Sequence, residues 1–128
     1  MRRRRRGGNF DDTFTGRMSR LIEPAVLYLL GCGEATHGYE LLEEVNKLGL
    51  TETQVDPGAI YRVLRQLEAD GAVSSAWDTT GGGPARRNYE LTELGVARLA
   101  SWVDLISRLA DSMQQFVSGA QQLLDDSE

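Results

Sequence analysis

Cysteine and histidine are nearly missing from this chain: Cys32 and His37 are the only ones in 128 residues. One cysteine excludes an intrachain disulfide. One Cys and one His fall short of the four-ligand sets of structural zinc unless carboxylates or a second chain contribute. His37 is the only side chain that ordinarily titrates near neutral pH, so nucleophile–base pairs lack parts. The composition points away from an enzyme, and no cofactor or metal motif is present. Long apolar runs are also missing. The most apolar stretch, Ala25–Leu30, is far short of the roughly 20 residues that cross a bilayer, so no membrane role is expected. Leu29-Leu30-Gly31-Cys32 has the form of a lipoprotein cleavage box, but Asp11, Asp12, Glu23 and Pro24 interrupt its lead-in. The plainer reading is a buried Cys32 closing an amphipathic helix in a cytoplasmic protein with a reduced thiol.

An even spread of charge is absent too. The formal net charge is −5, which argues against general polyanion binding. Yet residues 1–20 hold seven arginines (Arg2–Arg6, Arg17 and Arg20) against Asp11 and Asp12, a local +5, leaving −10 on the remainder. A basic arm on an acidic body is a pattern of nucleic-acid or membrane contact. The rest is ordinary: 41% apolar and 26% charged residues fit one globular domain.

Residues 1–18 read as a disordered Arg-rich arm, because Arg2–Arg6 repel one another and Gly7-Gly8 is pliant. Residues 19–92 read as a winged-helix domain. Its first helix is expected from Ser19, a capping residue, to about Gly31, with Leu21, Ile22, Ala25, Val26, Leu29 and Leu30 on one face. A second helix is expected from Thr36 to about Leu48, burying Tyr39, Leu41, Leu42 and Val45. The third starts at Asp56-Pro57, a cap followed by a residue pre-set for a first turn, and buries Ile60, Val63, Leu64 and Leu67. A hairpin follows, Ala72–Asp78 and Arg87–Leu91, around a glycine-rich loop too long for a two-residue turn.

Thr92 caps a long helix over 93–124. Along it Leu99, Trp102, Ile106, Leu109, Met113, Phe116, Ala120 and Leu123 alternate steps of three and four, a heptad seam. So much apolar surface on one helix calls for a partner, most simply a second copy. The fold class is therefore mainly α with a small β-hairpin: a winged helix-turn-helix plus a long C-terminal dimerisation helix.

Such a third helix fits a major groove. Gly58 and Ala59 leave room for the duplex, Tyr61 can reach phosphate, Arg62 and Arg65 project from the polar face toward DNA, and Arg62 or Gln66 can read base edges. Arg86 and Arg87 border the hairpin loop and can grip the backbone. Plainer readings stand beside these: solvated arginines on an amphipathic helix, and a basic pair keeping an edge strand soluble. For Arg2–Arg6 a minor groove, an anionic lipid surface and no role are all open. Trp77 and Tyr89 read as hairpin packing and His37 as a capping residue. Leu99, Trp102, Ile106, Leu109, Met113 and Phe116 either pack as dimer core or line a cavity for a small aromatic or hydrophobic effector.

Three segments together carry a resemblance: His37-Gly38-Tyr39-Glu40-Leu41; Gly58-Ala59-Ile60-Tyr61-Arg62-Val63-Leu64-Arg65-Gln66-Leu67-Glu68-Ala69-Asp70-Gly71; and Arg86-Arg87-Asn88-Tyr89-Glu90-Leu91-Thr92-Glu93-Leu94-Gly95. In this order and spacing, over about residues 20–110, the chain resembles the PadR family of bacterial transcriptional regulators, in its shorter form with one C-terminal helix. The resemblance implies a homodimer on a palindromic operator, repression of nearby genes, and release by a ligand. Two features depart from it. The five-Arg arm is outside the core pattern, and Ile106 stands where multidrug-sensing relatives carry a stacking Trp. The competing reading is a winged-helix protein-interaction module. It gains if Arg62, Arg65, Arg86 and Arg87 scatter or pair with Glu68, Glu90 and Glu93.

Overall fold

Leu27, Leu41, Ile60, Leu64 and Leu67 come from three helical segments and are fully buried against one another. The computed structural model describes residues 21–127 apart from Glu34 and Glu52. The expected arm over 1–18 and the Ser19 cap lie outside the described residues. Four helices and one hairpin follow in the order α1 (Ile22–Cys32), α2 (Gly38–Leu48), α3 (Pro57–Ala69), β1 (Val73–Asp78), β2 (Arg86–Leu91) and α4 (Glu93–Asp126).

α1 is the central helix: Ile22, Ala25, Val26, Leu27, Leu29 and Leu30 are all buried. It runs through Gly31, and Gly33 closes it in the left-handed region at φ 76°. Between α2 and α3 the turn is clamped by one side chain. Asn46 Oδ1 accepts from the Val55 N–H at 2.7 Å, and Asn46 Nδ2 donates to the Val55 carbonyl at 3.3 Å. α3 opens as its residues dictate, with Asp56 Oδ1 accepting from the Ala59 N–H at 2.8 Å and Pro57 in the first turn.

β1 and β2 form a two-stranded antiparallel sheet whose register pairs Val73 with Leu91, Trp77 with Arg87 and Asp78 with Arg86. Thr92 Oγ1 donates to the Gly71 carbonyl at 2.7 Å and accepts from the Gly95 N–H at 3.1 Å, so one hydroxyl caps α4 and ties it to the end of α3. α4 returns along α1, where Leu99 and Trp102 are half-buried against the core. No helix among the described residues is long and apolar enough to cross a membrane.

Three burial expectations are corrected. Cys32 is exposed, because the helix end that carries it projects past the core. Tyr39 is 67% exposed, since the buried face of α2 is Gly38, Leu41 and Val45, and Tyr39 stands one residue round from it. Tyr89 is buried as expected, but Trp77 is 63% exposed and is covered by a guanidinium instead of apolar neighbours.

Candidate nucleic-acid interface

On α3 the exposed positions are Gly58, Tyr61, Arg62, Arg65 and Gln66, whereas Ala59 is half-buried against the core. Arg62, Arg65 and Arg86 make no ion pair among the described residues. The Arg62 guanidinium turns back toward the helix start, where a methyl group on Gly58 would lie 3.6 Å from its Nη1. Gln66 Nε2 donates to Asp70 Oδ1 at 2.9 Å, so its amide is held along the helix.

Arg87 is organised differently. Its Nε donates to Ser75 Oγ at 2.9 Å, and that hydroxyl donates to Glu68 Oε2 at 2.6 Å. Arg87 Nη2 is 3.7 Å from the same carboxylate, and the guanidinium lies 5.1 Å from the Trp77 ring centroid. The hairpin is thereby tied to α3 through Glu68. Tyr89 sits beneath this junction. Burial raises its phenol above the ordinary value.

A groove of ≈ 580 Å³ runs between the start of α2, α3 and the hairpin. His37, Gly38, Tyr39, Tyr61, Trp77, Arg86 and Arg87 line it. A Cβ at position 38 would lie 2.5 Å from the end of the Tyr61 ring, so a larger residue there would push that ring aside. His37 crosses the gap between helix and hairpin. Its Nδ1 is 3.1 Å from Glu40 Oε1, and its Nε2 is 3.2 Å from Asp78 Oδ2. Its backbone bridges to Asn88, and the Tyr89 N–H donates to the Thr36 carbonyl at 2.9 Å. Glu40 also accepts from the Thr36 and His37 N–H groups, which hold its carboxyl below the ordinary range. Asp78 is lowered to about 2, first by hydrogen bonds from the Thr80 hydroxyl and N–H and then by His37.

A second surface shares no residue with this groove. Leu99, Trp102 and Ile106 join Pro24, Tyr28 and Leu50 around an apolar groove of ≈ 440 Å³. Farther along α4, Leu109, Met113 and Phe116 are exposed, Phe116 by 73%. The expected column is thus divided. Its first part rests on this chain's own core, and its second part has no cover among the described residues.

Sequence reasoning missed Tyr39 as a groove residue and missed the reach of His37 to Asp78. It also missed Arg98. Arg98 Nε and Nη2 donate to the two oxygens of Glu23 at 2.7 and 2.9 Å, and Nη1 donates to Asp70 Oδ2 at 2.9 Å. The Trp102 indole N–H donates to the same Glu23. Burial alone would raise the Glu23 carboxyl, but Arg98 and Trp102 outweigh it and hold it below the ordinary value. Arg98 is raised, mainly by Glu23. The steps Glu23–Arg98 and Asp70–Arg98 have no periodic signature, and only the tertiary path brings them together.

Among known proteins, residues 26–101 match the model of the transcriptional regulator PadR-like family. A conserved protein of unknown function, described as a potential transcriptional factor, is 28% identical, with a TM-score of 0.72 over 96% of this chain and 99% of its own. A PadR-like transcriptional regulator from Bacillus cereus is 25% identical, with a TM-score of 0.65 over 76% of this chain and 91% of its own. Bacillus subtilis PadR in complex with operator DNA is 25% identical, with a TM-score of 0.57 over 66% of this chain and 47% of its own.

Proposed function

The chain belongs to the PadR-like family of transcriptional regulators, and from that premise we propose that it acts as a homodimeric repressor on a palindromic operator. The observation that carries the proposal is the set of exposed arginines Arg62, Arg65 and Arg86. They have no ion-pair partner among the described residues; Arg62 and Arg65 are exposed on α3, and Arg86, on the hairpin, lines a groove with Tyr61 of α3. Guanidinium groups without a carboxylate partner suit a polyanion. Arg65 on α3 is the base reader, Arg86 the backbone contact, and Tyr61 a phosphate contact. The similarity to a PadR bound to operator DNA supports this assignment.

The dimer rests on α4. Burying Leu109, Met113, Phe116 and Leu123 is worth roughly 2 kcal/mol each. Two protomers then gain about 16 kcal/mol in gross terms, enough to offset an association cost of about 4–15 kcal/mol. A two-fold through α4 would set the two α3 helices for half-sites about 34–36 Å apart. An effector entering the apolar groove beside Leu99, Trp102 and Ile106 would then act on that spacing.

Sequencing DNA that co-purifies with the protein supplies the operator, and gel-shift titration tests the residues. Arg86→Ala should weaken all sequences alike and reduce the slope of log affinity against log salt by ~1; Arg65→Ala should cost about 1–3 kcal/mol on the operator and relax its sequence preference. Unchanged affinity in both variants would refute the groove assignment. The Arg87–Glu68 contact favours a protein-interaction module, and failure to bind any duplex would refute the DNA-binding reading in its favour.

A further inference from the structure

We infer that His37 is a proton-operated positioning residue: as imidazolium it straps the hairpin to the start of α2 and strengthens the grip on duplex DNA. The inference rests on the DNA-binding reading above and adds its regulation. Both ring nitrogens of His37 face carboxylate oxygens, Glu40 at 3.1 Å and Asp78 at 3.2 Å. A neutral imidazole carries one N–H, so one of those nitrogens must present a lone pair to a carboxylate. Only the doubly protonated ring therefore satisfies both contacts as a donor.

The strap spans the junction between α2 and the hairpin. Asp78 ends β1, and Thr80 N–H and Oγ1 both donate to its other oxygen, Oδ1, at 3.0 and 2.7 Å. Beyond Thr80 lies the glycine-rich loop, with Gly81 and Gly83 lining a small cleft shared with His37, Asp78 and Arg86. Asp78 is also paired in register with Arg86. Protonation of His37 thus does two things. It fixes the base of the loop against α2, and it neutralises a carboxylate beside Arg86, the backbone contact. The charged or titratable groups facing His37 are Glu40 and Tyr39 of α2, Asp78 of β1 and Arg86 of β2, with Tyr61 of α3 and Arg87 of β2 across the groove. His37 is the only histidine of the chain, so a transition between about pH 5 and 8 that a His37 variant abolishes is assigned without ambiguity.

The test uses full-length protein and a 30-base-pair fluorescein-labelled duplex of arbitrary sequence, titrated by anisotropy at fixed ionic strength, at pH 5.5 and pH 8.0. Wild type is expected to bind about fivefold tighter at pH 5.5, the low end of ordinary site-to-site coupling. His37→Gln should show a ratio near one, because its amide does not titrate. Asp78→Asn is the second variant; it keeps an acceptor for Thr80 and removes the charge that His37 faces, and it too should flatten the ratio. In parallel, the backbone amide NMR signals of Thr80 to Gly83 should follow a transition between these pH values in wild type and not in Asp78→Asn. Equal pH ratios in wild type and both variants would overturn the strap while leaving DNA binding intact. Loss of duplex binding at both pH values in wild type would overturn the DNA reading, and unmoved loop amides would then overturn the strap as well.

Discussion

Replacing Arg98 with alanine removes three charge-assisted hydrogen bonds that join α4 to α1 and to the end of α3. The size of the effect follows from exposure. Hydrogen bonds to charged groups are worth about 1.5–3 kcal/mol when shielded, while fully exposed pairs are worth about 0–1 kcal/mol. Arg98 and Glu23 lie between these limits, with side chains 34% and 19% exposed. The bidentate pair holds its geometry, and its loss leaves Glu23 with the Trp102 donor alone among the described residues. About 2 kcal/mol of destabilisation is therefore expected, or a fall in Tm of about 8 °C at fixed protomer concentration. Arg108→Ala serves as the control. Arg108 pairs with Asp104 one turn away at 3.1 Å, but both are about two-thirds exposed, so the expected change is under ~0.5 kcal/mol. Thermal melts of Arg98→Ala, Glu23→Gln and the double variant complete a cycle with a coupling of about 1 kcal/mol or more. An Arg98→Ala melt as small as the Arg108 control, or strict additivity in the cycle, would refute the reasoning.

Phe116→Glu places a charge where the isolated chain leaves a ring 73% exposed. The fold should survive while light scattering shifts from dimer to monomer, and an intact dimer would remove α4 from the interface. Tyr39→Phe takes one hydroxyl from the groove and should weaken duplex binding by about 0.5–1.5 kcal/mol with Tm unchanged; equal affinity would take Tyr39 out of the contact. In acid, the Asp78 carboxyl is lowered from 3.8 to about 2. Its contribution is present above pH 3.8 and is lost as pH falls toward 2. Asp78→Asn should therefore show a shallower acid limb in a fluorescence-monitored melt, and identical limbs would exclude the Thr80 and His37 contacts as the cause.

What could be read from the sequence was what depends on neighbours along the chain. Asp56-Pro57 announces the start of α3 because capping is local, and the spacing of Ile60, Leu64 and Leu67 announces its buried face. The seam from Leu99 onward was equally plain, since every step is three or four. Tyr39 failed for a physical reason. Counting it as apolar put it in the buried stripe, but the glycine beside it is what faces the interior, making room for the Tyr61 ring. Cys32 failed because helix ends outrun the core they pack on. Arg87 was legible as a basic residue of the hairpin but not as one already engaged, because Ser75, Glu68 and Trp77 come from three places.

The contacts that periodicity could not reveal are also those that join the two halves of the proposed mechanism. A signal at the proposed dimer interface must travel from α4 to α3, and of the apolar residues of α4 it is Leu99 and Trp102 that pack against the core among the described residues. Arg98 supplies a polar link. It holds Glu23 of α1 and Asp70, the cap of α3, from a single point on α4. Trp102 binds the same Glu23 and also lines the apolar groove. A molecule that displaced the indole would therefore disturb a carboxylate shared with the Arg98 bridge to the reading helix. Coupling by this route depends on charge, so raising ionic strength should reduce it along with phosphate contacts, whereas coupling by apolar packing would persist.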